Sequence, residues 1–329
     1  MSKTENLSEY FKDAKVLVTG GAGFIGSHLA KRLAKIGAKV TVVDDLSAIK
    51  ISNLDSNKHS GIRLIANDLR NKSIAEKVCK EQQYIFHLAA DMGGMSYIND
   101  NMDVFQNNML ININMCNAAI NSDRFLYTSS ACVYPEFKQN TPDITPLKET
   151  DAYPALPDTP YGWEKLLSEM MFMNKLDAKA RIARLHNIFG PNSSFGKRGK
   201  APMHLIMKAI SHPNPPFEIW GDGKQTRSFL YIDDCIDGLI KLMLSSYRGP
   251  VNIGSDRAVS IDELANIIIK TSKKEITPIH NLELSKYQGV RGRNADITLA
   301  KQVLNWQSKI SLEEGIYRTY LWAKDNLIY

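Results

Sequence analysis

"VTGGAGFIGSHL", residues 18–29, is the stretch that decides the fold. It joins a short apolar run to a segment whose apolar residues recur with the period of a helix. Three glycines within seven residues are a weak signal alone, but a place between a strand and a helix strengthens it. Gly20 permits a tight turn, Gly23 lets the backbone approach a pyrophosphate, and Gly26 allows close helix–strand packing. The stretch therefore predicts a dinucleotide-binding turn rather than a glycine turn without a ligand.

Strand-like and helix-like patterns alternate on both sides of this turn. Helical patterns fill the gaps between the apolar runs, and the clearest of them covers residues 103–121. Strands separated by helices imply right-handed crossovers and a parallel sheet. The fold class predicted is α/β, a doubly wound parallel sheet of the Rossmann type. The predicted strands are 15–19, 39–44, 62–68, 84–90, 124–130 and 181–187.

The chain becomes less regular after about residue 190. Short strands are predicted within "PFEIWGDGKQTRSFLYIDD" (216–234), and two later helices begin with capping boxes at Ser260 and Ser311. We expect a dinucleotide-binding domain over 12–190, with returning segments from the C-terminal half, and a smaller lobe over 191–329 that mainly binds substrate. The helices predicted in that lobe cover 201–210, 233–245, 260–271 and 311–326.

Composition limits the class of protein. The 329 residues are 43% apolar and 23% charged, as in ordinary globular proteins, and the net charge of +6 comes without a dense basic block. A basic pocket for a phosphorylated small molecule explains this charge as well as nucleic acid would, and most of these residues fit scattered, solvated surface charge. We expect no nucleic acid as partner. The polar start, with no apolar run long enough to span a bilayer, predicts a cytoplasmic protein without a membrane contact. Four cysteines without a CxxC pair suit neither a metal site nor a disulfide framework.

A carboxylate follows the second predicted strand at the place where a ribose would lie. Asp44 stands 18 residues beyond Gly26, accepts hydrogen bonds from ribose hydroxyls and repels a 2′-phosphate, which favours NAD over NADP. Residues that follow the third and fourth strands should also contact the cofactor. The cofactor-binding residues predicted in this half of the chain are Gly20, Gly23, Phe24, Ile25, Gly26, Asp44, Asp68, Leu69, Leu88, Ala89 and Ala90.

"YGWEK", residues 161–165, supplies the predicted redox pair. Tyr161 and Lys165 are four apart, so a helix places both on one face, beside the cofactor. A neighbouring ammonium lowers the pKa of a phenol, and so does an oxidised nicotinamide. The resulting tyrosinate could take a proton from a sugar hydroxyl while hydride leaves for NAD. The alternative is a surface pair without a catalytic role.

The glycine turn and this pair together resemble the extended short-chain dehydrogenase/reductase family, whose members modify nucleotide-activated sugars. In that family the loop after the fifth strand ends in a Ser or Thr that hydrogen-bonds the sugar hydroxyl. Here "SSACVYP" (129–135) contains Ser130, with the thiol of Cys132 at the position usually taken by the hydroxyl residue. Dehydratase relatives carry an acidic residue in this loop, and its absence argues against simple dehydration.

Seven further segments carry a closer resemblance: "AADMGGMSYI" (89–98), "SSACVYPEFKQ" (129–139), "RLHNIFGP" (184–191), "GKAP" (199–202), "WGDGKQTRSF" (220–229), "PVNIGSD" (250–256) and "GVRGRN" (289–294). Together with the glycine turn they resemble the GDP-mannose 3,5-epimerase family over nearly the whole chain. The resemblance implies NAD as cofactor, a nucleotide sugar as substrate and a homodimer formed through the helix at 103–121 and the helix that begins near 160. Departures after the glycine pair at 93–94 and around Tyr161 leave the chemistry intact.

The chemistry implied by this resemblance needs an acid and a base on opposite faces of a hexose. Protons on carbons 3 and 5 are not acidic until carbon 4 is oxidised to a ketone, which places both alpha to a carbonyl. The resemblance implies Cys132 as base and Lys200, in "GKAP", as acid. Bound NADH then reduces the ketone, so no cofactor is consumed. The alternatives are an inert loop cysteine and a solvated lysine.

Other polar residues and glycines are predicted to bind the substrate. Asn187 could bond a sugar or phosphate oxygen, and Arg227 and Arg291 suit a diphosphate through their planar forks, unless either forms a structural ion pair. Two glycines at 93 and 94 would let the backbone lie against the hexose. The substrate-binding residues predicted are Gly93, Gly94, Ser130, Ala131, Cys132, Asn187, Lys200, Ala201, Lys208, Gln225, Arg227 and Arg291.

Two other functions stay open at this point. A carbon-4 epimerase of a UDP-sugar would need Tyr161 and the cofactor but neither Cys132 nor Lys200. A non-catalytic NAD- or RNA-binding relative would keep the fold and could lose the tyrosine or the lysine, both of which are present here. Exchange of solvent deuterium into carbons 3 and 5 would separate the first alternative from a 3,5-epimerase.

Overall fold

A computed structural model describes residues 7–47, 53–54, 61–98, 101–143 and 145–327. It confirms the predicted α/β class, with strands and helices alternating along the first half of the chain. The strands are β1 (Lys15–Thr19), β2 (Lys39–Asp44), β3 (Ile62–Ala66), β4 (Tyr84–His87), β5 (Arg124–Ser130), β6 (Ala180–Leu185), β7 (Ile188–Phe189), β8 (Glu218–Trp220), β9 (Thr226–Ser228), β10 (Leu230–Tyr231), β11 (Pro250–Ile253), β12 (Ala258–Ser260), β13 (Ile279–Asn281) and β14 (Gly292–Arg293).

Helices cover both faces of the sheet, and further helices belong to the second half of the chain. They are α1 (Leu7–Phe11), α2 (Phe24–Lys35), α3 (Lys72–Cys79), α4 (Met95–Ile98), α5 (Met102–Ala118), α6 (Pro160–Leu176), α7 (Ala201–Ser211), α8 (Ile232–Leu244), α9 (Ile261–Ser272), α10 (Thr298–Leu304) and α11 (Leu312–Leu327). In the part of the chain that the structure describes, no helix is both long and apolar enough to cross a membrane.

One seven-stranded sheet organises the molecule. Its order is β11-β6-β5-β4-β1-β2-β3, and every pairing within it is parallel. The chain runs outward from β1 through β2 to β3 and then returns to β4 on the other side of β1, so a topological switch point lies between β1 and β4. Ligands of open α/β sheets bind in the crevice at the carboxyl ends of the strands beside such a point. The sheet topology therefore places a binding site after β1 and β4.

Several predicted boundaries were too long. The third strand ends at Ala66 rather than at 68, the fourth ends at His87 rather than at 90, and the sixth covers Ala180–Leu185. Beyond these ends Asp68, Leu88, Ala89, Ala90 and Asn187 leave the sheet and line the crevice. The helix predicted over 103–121 covers Met102–Ala118 and continues as one 3₁₀ turn, Ala119–Asn121. Strand β11 was not predicted.

Alternating side chains of β1 show how the two faces of the sheet are buried. Val16 and Val18 pack into one cluster with Leu29 of α2, whereas Leu17 packs into another with Phe172 of α6. Side chains that alternate between two buried faces explain why the strand is apolar without interruption. Helices therefore cover both faces, as the doubly wound prediction requires.

The second half of the chain adds small sheets beside this crevice. Strand β9 pairs with β12 and β14, and β8 pairs with β13. The predicted helix caps are confirmed, because the backbone N–H of Glu263 donates to Ser260 Oγ at 3.0 Å and that of Glu314 to Ser311 Oγ at 3.2 Å. These elements carry the side chains that face the carboxyl ends of the sheet.

Candidate active site

The glycine turn after β1 has the close contacts that the sequence predicts. Gly20 has a φ of 64°, a left-handed conformation that glycine adopts without strain. A Cβ on Gly26 would overlap the carbonyl oxygen of Gly20, so only glycine lets α2 lie against the turn. The helix starts at Phe24, with Gly23 at its N-cap. Its N-terminal N–H groups therefore border the crevice, as phosphate binding requires.

The carboxylate of Asp44 is held at the edge of this crevice by the backbone. Its Oδ2 accepts from the N–H of Ala22 at 3.0 Å and its Oδ1 from the N–H of Leu46 at 2.9 Å. Burial raises the pKa of this carboxyl, while the backbone hydrogen bonds oppose the shift. A fixed acceptor at the end of β2 fits the hydroxyls of a ribose.

A cavity of about 440 Å³ lies over these residues. This volume is within the range of roughly 300–1,000 Å³ typical of small-molecule sites. Every predicted cofactor-binding residue lines it, so the residues present fit a dinucleotide. Those residues are Gly20, Gly23, Phe24, Ile25, Gly26, Asp44, Asp68, Leu69, Leu88, Ala89, Ala90, Tyr161 and Lys165.

Sequence reasoning missed Arg70 and Arg198, which also line this cavity. Arg70 Nε donates to Asp68 Oδ2 at 2.8 Å, and this bond lowers the pKa of the Asp68 carboxyl. Arg198 Nη2 donates to the hydroxyl of Tyr97 at 2.8 Å. The contact of Arg198 with Tyr97 joins segments that are distant in the chain, and Arg70 belongs to no recognised motif, so the sequence did not predict either arginine.

Helix α6 carries the predicted redox pair on one face, as expected. Its N-terminus is capped by Thr159, whose Oγ1 accepts from the N–H of Gly162 at 3.2 Å. Tyr161 and Lys165 are both buried. Lys165 Nζ lies 5.4 Å from the centroid of the Tyr161 ring and donates to the carbonyl of Thr128 at 3.4 Å.

Burial acts against the predicted lowering of the Tyr161 pKa. It raises the pKa of Tyr161 well above its usual value, the neighbouring Cys132 and Glu164 add to this, and a hydrogen bond with Ser130 opposes it. Burial also lowers the pKa of Lys165, which Glu164 partly restores. Desolvation is therefore the largest effect on both groups, and a cation beside the phenol acts against it for Tyr161.

A buried carboxylate stands next to the lysine and was not predicted. Glu164 accepts from Asn112 Nδ2 at 2.6 Å, from the hydroxyl of Tyr127 at 3.1 Å and from the hydroxyl of Ser168 at 3.3 Å. Its Oε2 lies 4.0 Å from Lys165 Nζ. The hydrogen bonds satisfy a charge that burial would otherwise penalise. This carboxylate is a buried partner for the ammonium of Lys165.

The same network reaches the cofactor cavity through His87. The ring of His87 is hydrogen-bonded to Asn112 Oδ1 at 2.9 Å and to Thr19 Oγ1 at 2.7 Å. Thr19 Oγ1 also accepts from the N–H groups of Leu88 and Ala89. Burial lowers the pKa of His87 to about 3, so the imidazole is neutral at physiological pH. The network fixes the loop after β4 against the helix that carries the redox pair.

Cys132 lies in a 3₁₀ turn, Ala131–Val133, rather than in an irregular loop. Its backbone N–H donates to Ser130 Oγ at 3.1 Å, which sets the turn at the end of β5. A Cβ on Gly162 would overlap the Cys132 carbonyl oxygen, so glycine lets α6 lie against this turn. The close approach brings the thiol beside Tyr161, with which it shares a small buried cluster.

Arg293 of β14 contacts this thiol. Its Nη1 lies 3.2 Å from Cys132 Sγ, and its Nε donates to Gln139 Oε1 at 2.6 Å. Asp158 Oδ2 lies 3.7 Å from Nη2. The side chain is buried, so the guanidinium is oriented by these partners rather than by water. An N–H donor aimed at the sulfur suits a sulfur that acts as an acceptor and base.

Lys200 is the N-cap residue of α7. Part of its surface is accessible, whereas its ammonium group is enclosed by protein, and the residue lines both cavities. Burial lowers the pKa of its ammonium, and the neighbouring Cys132 and Cys235 oppose the shift. Lys200 and Cys132 thus line one cavity, as the proposed acid–base pair requires.

The cavity that contains this pair has a volume of about 220 Å³ and adjoins the cofactor cavity. Ser130, Asn187 and Lys200 line both, so the two ligands would meet there. All but one of the predicted substrate-binding residues line the smaller cavity. They are Gly93, Gly94, Ser130, Ala131, Cys132, Asn187, Lys200, Ala201, Lys208, Gln225 and Arg227.

Arg291 is the exception. Its guanidinium forms a two-bond ion pair with Asp222, with Nη1–Oδ1 and Nη2–Oδ2 distances of 3.0 and 2.9 Å, and it does not line the cavity. Arg291 therefore forms a structural ion pair, which the sequence analysis kept as the alternative to binding the diphosphate. Arg227 does line the cavity, and its Nη2 donates to the carbonyls of Gln288 and Val290. Arg293, two residues after Arg291, occupies the cavity and was missed.

Comparisons with known proteins agree with this geometry. Residues 16–254 match the model of the NAD dependent epimerase/dehydratase family. The chain is 42% identical over 325 residues to GDP-mannose 3,5-epimerase 1 of Oryza sativa subsp. indica, covering 95% of this chain and 82% of that protein. It is 41% identical over 328 residues to GDP-mannose 3,5-epimerase of Arabidopsis thaliana, covering 96% and 84%.

A solved structure shows the same architecture with its ligands. UDP-glucuronic acid 4-epimerase from Bacillus cereus, crystallised with UDP-glucuronic acid and NAD, superposes with a TM-score of 0.83 at 28% identity. The match covers 94% of this chain and 99% of that one. With the family model spanning more than half of the residues, the predictions of an epimerase fold and of NAD as cofactor are confirmed. The chain belongs to the NAD dependent epimerase/dehydratase family.

Proposed function

We propose that this chain epimerises GDP-mannose at carbons 5 and 3, giving GDP-L-galactose and GDP-L-gulose, by oxidation at carbon 4 and later re-reduction. One observation carries the proposal: Cys132 and Lys200 line a cavity that opens onto the cofactor cavity containing Tyr161. A thiol and an ammonium are the base and acid that inversion at a carbon alpha to a ketone requires. The relatives at 41–42% identity bear the name of this activity.

The redox step belongs to α6. The phenolate oxygen of Tyr161 takes the proton of the 4-hydroxyl and returns it at the end of the cycle. Lys165, 5.4 Å from the tyrosine ring centroid, adds positive charge beside the phenolate that this transfer needs. Bound NAD would supply the hydride acceptor for carbon 4 and a further positive charge near the phenol. The turn from Gly20 to Gly26 and the carboxylate of Asp44 would hold it.

The inversion step belongs to the substrate cavity. The sulfur of Cys132 removes the proton of carbon 5, so an S–H bond forms as the C–H bond breaks and the electron pair moves into the enolate. Lys200 then gives an N–H proton to the other face of that carbon. Cys132 now holds a proton and Lys200 lacks one, so both exchange with solvent before carbon 3 is inverted in the same way. The net reaction moves protons only and consumes no cofactor.

The two proposed domains contribute different residues to the site. The segment 12–190 supplies the redox pair and the cofactor site, whereas 191–329 supplies Lys200, Arg227 and Arg293 to the substrate cavity. We also propose a cytoplasmic location and no nucleic-acid partner; the net charge of +6 without a dense basic block is compatible with a small phosphorylated ligand. A filter-binding assay with RNA, compared with the same assay with GDP-mannose, tests the latter.

We further propose a homodimer formed through α5 and α6. These helices pack on each other and leave a row of apolar side chains exposed: Leu110, Ile113, Trp163, Leu167 and Met170. A second copy would bury such a row. Light scattering during gel filtration should give about twice the chain mass, and Leu167→Glu with Met170→Glu should give one chain mass.

Incubation with GDP-mannose in heavy water, followed by NMR of the sugar, tests the proposed reaction. The account expects deuterium at carbons 5 and 3 of the hexose. Turnover of a UDP-sugar at carbon 4, with no deuterium in the ring, would instead identify a carbon-4 epimerase like the Bacillus cereus structure. Protein that carries NAD but turns over no sugar nucleotide would point to a non-catalytic relative.

A further inference from the structure

A carboxylate lies in the substrate cavity far from the groups that carry the chemistry. Glu218 of β8 lines this cavity together with Lys208, Trp220 and Gln288, none of which lines the cofactor cavity. Lys208 lies eight residues after Lys200 at the start of α7, which corresponds to about 12 Å along the helix axis. Lys208 Nζ donates to the carbonyl of Glu218 at 2.6 Å. Glu218 therefore marks the end of the cavity opposite the reacting hexose.

Three neighbours fix the orientation of this carboxylate. Asn281 Nδ2 donates to Oε1 at 2.7 Å, Trp220 Nε1 donates to Oε2 at 3.3 Å, and Lys208 Nζ lies 3.6 Å from Oε2. The hydrogen bond from Asn281 has the largest effect and lowers the pKa of the Glu218 carboxyl, burial opposes it, and the charge of Lys208 adds to the lowering. Each carboxylate oxygen has two lone pairs, so both oxygens keep capacity for a further donor.

We propose that Glu218 determines the base of the nucleotide sugar by accepting hydrogen bonds from N1–H and the 2-amino group of guanine. This proposal rests on the proposed function, in which the substrate is a nucleotide sugar whose hexose lies beside Cys132 and Lys200. Glu218, with 30% of its side chain exposed, is accessible to a ligand in the cavity.

The donor pattern of the bases explains the choice. Guanine presents two adjacent donors on its Watson–Crick edge, which match the two acceptors of a carboxylate. Adenine presents a donor beside an acceptor, and uracil presents one donor between two carbonyl acceptors. A carboxylate that faces a carbonyl oxygen is left unpaired and repelled, which rejects those bases more strongly than a lost contact would. Glu218 therefore attracts the two donors of guanine and repels the acceptors of the other bases.

An aromatic ring stands at the same end of the cavity and suits the face of a base. Trp220 lines the cavity, with the ring of His204 at a centroid distance of 5.7 Å and Lys208 Nζ at 5.6 Å from its own centroid. Base–aromatic stacking tolerates every base, so it adds affinity without choosing among them. The choice among bases therefore depends on the hydrogen-bonding edge of the base, which Glu218 faces.

Equilibrium binding of GDP, IDP and UDP to the NAD-loaded enzyme, measured by titration calorimetry, tests this proposal. IDP differs from GDP only in lacking the 2-amino group. We expect GDP to bind about tenfold tighter than IDP, because GDP donates one more hydrogen bond to a charged group. UDP should bind more weakly than IDP. In Glu218→Gln, GDP should lose about tenfold or more in affinity, and the gap between GDP and IDP should shrink.

Glu275→Gln is the matched control, because Glu275 is an exposed carboxylate in the same half of the chain. It should leave all three affinities unchanged. Equal affinities of the unaltered enzyme for GDP and UDP would overturn the proposal, and this comparison needs no variant that could misfold. A preference for GDP that persists in folded Glu218→Gln would overturn it as well. Because binding requires no turnover, failure of the deuterium experiment would reject the proposed reaction and leave this result standing.

Discussion

Cys132 Sγ and Arg293 Nη1 lie 3.2 Å apart in the wall of the substrate cavity, although 161 residues separate them in the chain. Strand β14 and its pairing with β9 bring the arginine to this place, and the bond from Arg293 Nε to Gln139 holds the guanidinium there. A buried donor directed at the sulfur makes the thiol more than a small apolar residue. The relationship also separates Arg293 from Arg291, whose guanidinium is paired with Asp222 outside the cavity.

Replacing Arg293 should therefore impair the inversion but not the cofactor site. In Arg293→Met, turnover of GDP-mannose should fall by about 10- to 100-fold, because the sulfur loses a charged hydrogen-bond donor. The affinity for NAD, measured by fluorescence quenching, should not change. The control is Arg291→Met, which removes the same group from an ion pair outside the cavity and should keep turnover within about threefold. The reverse ranking of the two variants would show that the diphosphate is bound by Arg291 as the sequence alone suggested.

Tyr161→Phe should block the first oxidation. The substitution removes one hydroxyl from a buried ring, so the fold is retained while the proton acceptor for the 4-hydroxyl is lost. The rate of NADH formation in a single turnover, followed by its absorbance, should fall by about 10²- to 10⁴-fold. Tyr317→Phe, which alters an exposed ring on α11, should have no effect. Accumulation of ketone at the normal rate in Tyr161→Phe would place the base elsewhere.

The pH dependence of deuterium exchange should have a basic limit that is set by Lys200. Burial lowers the pKa of this ammonium below the usual lysine value of 10.5. The acid is present below the lowered pKa and is lost as pH rises through it, so exchange should decline at a pH below that at which an exposed lysine titrates. In Lys200→Arg, whose cation does not titrate in this range, any residual exchange should lack this decline. An identical decline in both enzymes would assign the limit to another group.

Much of the cofactor site could be predicted because its signals are local. The glycines after β1, the carboxylate at the end of β2, and the tyrosine and lysine on α6 each follow from spacing within one element. The spacing of Tyr161 and Lys165 could not show that burial raises the pKa of Tyr161 while Lys165 lies 5.4 Å from the ring centroid. A sequence pattern shows which side chains share a face but not how much water surrounds them.

The substrate cavity was harder to predict because its walls come from distant segments. Arg293 reaches Cys132 only through the pairing of β14 with β9, and Glu218 meets Asn281 only through the pairing of β8 with β13. The buried Glu164 has no signal in its own helix, since its partners Asn112 and Tyr127 lie on other elements. In each case packing across the fold, rather than a motif, gives the side chain its role.

The most direct measurement is the exchange of solvent deuterium into carbon 5 of GDP-mannose by Cys132→Ser, compared with the unaltered enzyme and with Cys79→Ala as a thiol control on α3. A serine in place of the sulfur keeps the size and the turn but is a far weaker base. The account predicts that NAD stays bound, that the ketone still forms, and that label at carbon 5 is lost in Cys132→Ser alone. Label that enters carbon 5 of the substrate at an undiminished rate in this variant would contradict it.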